Sequence, residues 1–298
     1  SITNGYDETL PTLEVKKANL FQTMDGFGLA LTGGSALHLS KMSEANRSKI
    51  LTELFATNDM NIGISYLRIS IGASDLDEFT FSYDDVVAGE TDMNLEKFTI
   101  DQDRKYLIPV IKEIQAINPD IKFMASPWSA PTWMKTNGAT KGGSLKPECY
   151  EAYAKYFVKY IGEMASEGIK ISAITVQNEP LHPGNNPSMY MPAEEQAAFI
   201  KNSLGPAIKA AGLTTKIIIY DHNCDRVDYP MTVLNDTDAR QYIDGSAFHL
   251  YGGSINDISA LHTAYPEKNL YFTEQWTGAN SEFGGDLSWH TENIIIGG

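Results

Sequence analysis

The stretch Leu107-Ile-Pro-Val-Ile-Lys-Glu-Ile-Gln-Ala-Ile-Asn-Pro-Asp-Ile-Lys-Phe-Met-Ala125 decides the fold class. Leu107, Val110, Ile111, Ile114 and Ile117 recur at spacings of three and four, which places them on one face of a helix. Asn118-Pro119 ends that helix, because proline has no N–H to donate and pushes the residue before it out of the helical region. A short apolar run, Lys122–Ala125, follows at once and reads as a buried strand. Working outward, the same rhythm recurs along the chain. Strands are expected at Phe27–Leu31, Tyr66–Ile71, Lys122–Ala125, Ile174–Gln177, Lys216–Tyr220, Gly245–Phe248 and Leu270–Thr273. Between them lie amphipathic helices: one capped by Ser43, one carrying Tyr153, Phe157, Tyr160, Ile161 and Met164 and closed by Gly168, and one opened by Pro192 and ended by Gly212. Strands alternating with helices imply a parallel sheet, and a chain of 298 residues, 42% hydrophobic, can bury the core of a single α/β barrel.

Composition narrows the chemistry. Lys+Arg 23 against Asp+Glu 38 gives a formal net charge of -15, which repels phosphate backbones and anionic membranes and argues against nucleic acid as a partner. No stretch approaches the roughly 20 apolar residues of a membrane span. The first residue is Ser and not Met, so we expect a secreted or periplasmic protein whose signal peptide has been removed. Cys149 and Cys224 are too few for a disulfide framework or an all-cysteine metal site and are expected as buried thiols.

The longest loops, Gly72–Thr99 and Ser126–Cys149, follow the carboxyl ends of strands, the face on which barrel enzymes build their sites. Glu179 stands at such an end, in Ile174-Thr-Val-Gln-Asn-Glu-Pro180, where partial burial is expected to raise its pKa and equip it to donate a proton. Locally it also suits a strand-end Glu before a turn Pro. Glu274 repeats the arrangement in Leu270-Tyr-Phe-Thr-Glu-Gln-Trp276. Strands four and seven lie across a barrel mouth from each other, so the two carboxyls can converge on one sugar. A separation near 5 Å favours a covalent intermediate and a wider gap admits water for inversion.

Around them we single out aromatic and polar candidates. Trp128 and Trp133, presented by a loop with two prolines, and Trp276 suit stacking on sugar faces, although half the tryptophans can equally be core. His249 and Tyr251 suit hydrogen bonds to a sugar hydroxyl and the nucleophile, or a satisfied structural pair. Arg68 and Asp75 are expected as a buried cation and a loop carboxylate whose ion pairing near Glu274 keeps it ionised. A metal-dependent hydrolase using His182, His222, His249 and the glutamates is disfavoured: there is no His-Glu-x-x-His and no Cys/His cluster with ligand spacing. Gly26-Phe-Gly28 and Gly33-Gly34 lack the further residues of a phosphate cradle.

Taken in order, Phe21-Gln-Thr-Met-Asp-Gly-Phe-Gly28, Leu67-Arg-Ile-Ser-Ile-Gly72 with Ser74-Asp75, Ala125-Ser-Pro-Trp-Ser-Ala-Pro-Thr-Trp-Met-Lys-Thr-Asn137, Gln177-Asn-Glu-Pro180, His249-Leu-Tyr251 and Phe272-Thr-Glu274 resemble glycoside hydrolase family 30. That family contains glucosylceramidases, endo-β-1,6-glucanases and related β-glycosidases. The resemblance implies a (β/α)8 TIM barrel and a retaining double displacement without metal or organic cofactor. Glu274 would be the nucleophile and Glu179 the acid/base. Asp75, Trp128, Asn178, His249 and Tyr251 would hold the sugar, and Arg68 would lie beneath the nucleophile. An endo-β-1,6-glucanase is expected ahead of a glucosylceramidase or exo-β-glucosidase, acting on a β-glucan or β-glucoside. A non-catalytic carbohydrate-binding protein is the alternative of another class. The chain departs from the family at its end: seven of eight βα units are expected within residues 23–298, and residues 1–22 are expected to belong to a β-sandwich side domain that is otherwise missing.

Overall fold

The computed structural model describes residues 9, 11, 12, 14 and 16–298. The apolar alternation of Leu13-Glu-Val15 in the sequence suits a short strand, but Leu13 and Val15 lie outside the described residues. Seven parallel strands form one sheet in chain order: β1 Gly28–Ala30, β2 Tyr66–Ile71, β3 Lys122–Pro127, β4 Ile171–Thr175, β5 Lys216–Asn223, β6 Ile243–His249 and β7 Asn269–Glu274. Every neighbouring pair is parallel, and helices occupy the crossovers, so strand β1 and strand β7 are the two edges of the sheet among the described residues. All seven expected strands are found, with ends shifted by up to three residues.

The helices follow their local signals. Leu107–Ile117 buries Leu107, Val110, Ile111 and Ile114. Glu44–Phe55 is capped by the Ser43 side chain, which accepts from the N–H of Asn46. Tyr150–Ser166 buries the expected aromatic stripe and stops before Gly168, whose φ of 83° needs no Cβ. The helix expected after Pro192 begins at Ala193 but is interrupted by a wider, π-type turn over Ile200–Leu204 before it resumes at Gly205–Ala210.

Alternation along the strands sorts side chains into two regions. Leu67, Ile69, Phe123, Ala125, Ile174, Ile217, Ile219 and Phe248 face the helices and belong to the main core. Met124, Ala173, Ile218 and Ala247, with Tyr66 and Tyr271 packed on them, fill the concave side. Two residues further along these strands the inward positions turn polar: Arg68 on β2, Ser126 on β3, Thr175 on β4, His249 on β6 and Thr273 on β7. An apolar plug therefore carries a polar floor above it at the carboxyl ends of the strands.

Strand β5 breaks the alternation at a decisive place. After Ile218 inward and Ile219 outward, Tyr220 should point in; instead it lies in the main core and Asp221 takes the inward place. The cause is a bulge: Tyr220 and Asp221 have φ of 71° and 66°, and the register with β6 shifts between Tyr220 and His222. Two consecutive non-glycine residues in the left-handed region are costly, and such strain clusters where a site demands it.

Candidate active site

Asp221 is the centre of the polar floor. It is fully buried and accepts four hydrogen bonds: from Arg68 Nη2 at 2.8 Å and Thr175 Oγ1 at 2.7 Å on one oxygen, from Thr273 Oγ1 at 2.6 Å on the other, where His249 Nε2 also lies at 3.1 Å. Burial works against its charge, but the Arg68 cation and the bonds from His249 and Thr273 hold the carboxyl far below the usual carboxylate range. Arg68, itself buried, spreads its guanidinium over Asp221, the Oδ1 of Asn178 at 2.7 Å, Ser126 Oγ at 3.1 Å and Glu274 Oε2 at 2.8 Å. Its carbon lies 4.8 Å from the ring centre of Trp128, so the indole covers one face of the cation.

Glu179 and Glu274 stand on this floor. Glu179 is buried, with a left-handed backbone (φ 45°) locked by its N–H donating to the Asp221 carbonyl at 2.9 Å. Asn185 Nδ2 donates to Oε2 at 3.1 Å, while His249 Nδ1 lies 3.3 Å from Oε1. Glu274 is partly exposed; Arg68 grips one oxygen and the Tyr251 hydroxyl donates to the other at 3.2 Å. Ligating atoms of Glu179, His249 and Glu274 all lie within 4.8 Å of one another, so one oxygen of each carboxylate closely approaches the other. Such a trio has the spacing to accept a metal ion. In this structure both nitrogens of His249 are turned to carboxylate oxygens, Nδ1 to Glu179 and Nε2 to Asp221, so a metal ion would have to displace the Nδ1 contact with Glu179.

The protonation of the pair differs from the expectation for Glu179. Burial does press its pKa upward, but the hydrogen bond and charge of His249, with smaller effects of His222 and His182, bring it below the ordinary value. His249 moves the other way. Burial disfavours its cation, yet the bonds with Asp221 and Glu179 and the charge of Glu274 raise its pKa to about 9. His222, with Nε2 4.0 Å from Glu179 Oε1, is pushed down to about 4, chiefly by burial, and is neutral.

The sequence model of the Glycosyl hydrolase family 30 TIM-barrel domain matches residues 24–287 of this chain. The chain belongs to glycosyl hydrolase family 30. An endo-1,6-beta-D-glucanase of Neurospora crassa is 37% identical over 266 residues, covering 87% of this chain and 54% of the relative. The lysosomal acid glucosylceramidase of Mus musculus is 31% identical over 288 residues, covering 91% of this chain and 54% of the relative. A solved endo-beta1,6-glucanase superposes with a TM-score of 0.88 at 41% identity, covering 95% of this chain and 65% of that one. The chain thus spans about half the length of the curated relatives it matches.

Other candidates of this family 30 domain fall as follows. Asn178 is buried and its oxygen is taken by Arg68, so the group it can offer a sugar hydroxyl is its NH2. Trp128 is buried beneath the site as a wall over Arg68. Tyr251 and Trp276 are 44% and 70% exposed, so the Trp276 indole is open to solvent beyond β7. Asp75 is exposed in the loop after β2, its pKa raised by desolvation and then by the charge of Glu274.

Three expectations are corrected by the geometry. Trp133 does not face a ligand: it is packed in the main core, and its indole N–H is held by the carbonyl and the carboxylate of Asp84, both at 3.1 Å. His249 is fully buried with both nitrogens on carboxylates, so it supports the glutamates from below and has no nitrogen left for a sugar hydroxyl. Arg68 pairs with Asp221 and Glu274, while Asp75 makes no ion pair with it. Asp221 and Asn185 carry no role in the sequence expectations, and His222 enters them only as a disfavoured metal-ligand candidate. Asp221 had a signal, since Lys216-Ile-Ile-Ile-Tyr-Asp221 is an apolar run ending in a carboxyl like those before Glu179 and Glu274. Cys149 and Cys224 are free and buried, and Cys224 bonds the carbonyl of His249.

Proposed function

We propose that this domain is the catalytic part of a retaining β-glycosidase in which Glu274 attacks the anomeric carbon and Glu179 protonates the departing oxygen. The observation that carries the reading is that one oxygen of each carboxylate lies within 4.8 Å of the other, which suits the short separation of a retaining pair. Glu274 is suited to attack, because Arg68 and Tyr251 fix both its oxygens. Glu179 then activates water against the ester it helped to form. Asn178 donates to the 2-hydroxyl, Tyr251 and Trp276 border the open side, and Asp75 meets a hydroxyl from the β2 loop.

For the substrate we propose a β-1,6-linked glucan, a reading supported by the endo-1,6-glucanases among the relatives and solved structures. A glucosylceramide is the second reading, supported by the mouse enzyme's likeness. Action outside the cytoplasm belongs to the same proposal, since a polymeric glucan is met there. Among the described residues no helix is long and apolar enough to cross a membrane. Incubation with β-1,6-, β-1,3- and β-1,4-glucans and with glucosylceramide, using Glu274→Ala as control, tests the reading. Oligosaccharides from the β-1,6 polymer alone are expected, and none from Glu274→Ala. Turnover by Glu274→Ala equal to the parent would sink the assignment, and binding without turnover would favour a carbohydrate-binding protein.

A further inference from the structure

The Glu179 to His249 contact raises a question that the two-carboxylate reading does not answer: where the proton needed for the first step is kept. His249 has an exposure of zero, with Nδ1 3.3 Å from Glu179 Oε1 and Nε2 3.1 Å from Asp221 Oδ1. A neutral imidazole has one N–H and one lone pair, whereas two carboxylates offer only acceptors. Both contacts are hydrogen bonds only if the chain holds one extra proton, between Nδ1 and Oε1. Asp221 cannot be its seat, because its oxygens already receive Arg68, Thr175 and Thr273. The Nε2–H therefore points at Asp221, and the mobile proton lies toward Glu179.

We propose that His249 stores the proton that Glu179 passes to the leaving oxygen, with Asp221 fixing the ring so that Nδ1 faces Glu179. The proposal rests on the glycosidase reading of Glu179 and Glu274. In the first step Glu274 forms its bond to the anomeric carbon as the bond to the leaving oxygen breaks. That oxygen takes a proton from Glu179, and Nδ1 passes its own to Oε1, leaving a neutral imidazole and a glycosyl ester. In the second step water gives its proton to Glu179 and thence to Nδ1 while its oxygen displaces Glu274. Charge balances at each stage, since the carboxylate of Glu274 is consumed as the imidazolium is discharged and reappears as it is recharged.

The placement of Glu274 couples the two events. Its Oε1 lies 3.9 Å from Nδ1, so its negative charge helps hold the stored proton until the ester forms and removes it. The other groups around the ring agree. From β5, His222 is neutral and presents a ring 6.3 Å away; Tyr251, beyond β6, stacks edge-on at 6.1 Å; Arg68, from β2, reaches the ring only through Asp221 and Glu274.

Nitrogen NMR of histidine-labelled protein reads the store directly. At pH 7 both nitrogens of His249 are expected to carry protons. After Glu274 is trapped as a fluoroglycosyl ester, the ring is expected to titrate at least one pH unit lower. A neutral His249 in the free protein at pH 7, or an unchanged titration in the ester, would overturn the proposal. Kinetics supply the second arm. His249→Gln should lower kcat/KM about 100-fold or more on β-1,6 oligosaccharides, whose leaving group needs the proton, and under tenfold on the 2,4-dinitrophenyl glycoside of the β-1,6 disaccharide, whose leaving group does not. Equal losses on both would mean that His249 only props the glutamates and would refute the store. If the parent protein cleaves neither substrate, the glycosidase reading falls and the delivery step with it, whereas a neutral ring in an active enzyme refutes the store alone.

Discussion

Replacing Asp221 with Asn keeps the size of the side chain and removes its charge, which makes it the sharpest probe of the polar floor. Asp221 receives Arg68, Thr175, Thr273 and His249 with no solvent in reach. An amide oxygen can accept two of these four and the NH2 none, so two donors lose their acceptor. Arg68, also buried, keeps Glu274 as its remaining carboxylate. Removing one partner of a buried ion pair costs about 3–5 kcal/mol, a large part of a typical total of roughly 5–15 kcal/mol. At about 2–4 °C per kcal/mol, the melting temperature should fall by roughly 6–20 °C. The pH dependence supplies a sign. The folded-state pKa of Asp221 lies far below the unfolded value, so its stabilisation is fully present above about pH 4 and is lost as acid protonates the unfolded chain first. The difference between parent and Asp221→Asn should therefore shrink progressively below pH 4, and it should also narrow as pH rises from about 6.5 to 9, because Asp221 helps hold the charge of His249. Urea unfolding followed by circular dichroism at each pH measures it. A loss under about 1 kcal/mol at pH 7, or a difference that grows as pH falls below 4, would refute the reasoning.

Two further predictions concern residues away from the glutamates. Trp133→Phe should cost about 1–3 kcal/mol by stranding the buried Asp84 acceptor, yet leave KM for oligosaccharides unchanged; a raised KM with intact stability would return Trp133 to the sugar site. Asp103 is buried, and burial outweighs the bond from the Tyr83 hydroxyl to raise its pKa to about 7. Its folded state holds a proton that the unfolded state releases, so stability should fall as pH rises from about 4 to 7. Asp103→Asn should flatten that slope and stabilise the protein at pH 8 by at most about 4 kcal/mol, and an unchanged slope in denaturation midpoints would contradict this.

Much of the architecture was legible because it depends on local periodicity. Helical spacing from Leu107 to Ile117 and short apolar runs before polar loops placed all seven strands, and the two glutamates stood out because each closes such a run. Asp221 was not legible for a specific reason. Period-two alternation from Ile218 points Tyr220 inward, and only the left-handed pair at Tyr220 and Asp221 reverses it. Trp133 misled in the opposite sense: its proline-bounded loop resembles a binding platform, but Asp84, forty-nine positions away in sequence, captures the indole N–H. The direction of the Glu179 pKa also lay beyond local reading, because it is set by His249 on another strand and not by the burial that the sequence suggests.

The central claim is that Glu274 forms the covalent bond to the sugar while Glu179 serves as acid and base. Incubation with an activated 2-deoxy-2-fluoro β-glycoside of the β-1,6 disaccharide, followed by proteolysis and mass spectrometry, tests it most directly. The account predicts one fluoroglycosyl adduct, on the peptide containing Leu270-Tyr-Phe-Thr-Glu274 and located at Glu274. An adduct on Glu179 or on any other residue, or turnover of the reagent with inversion and no adduct, would contradict it.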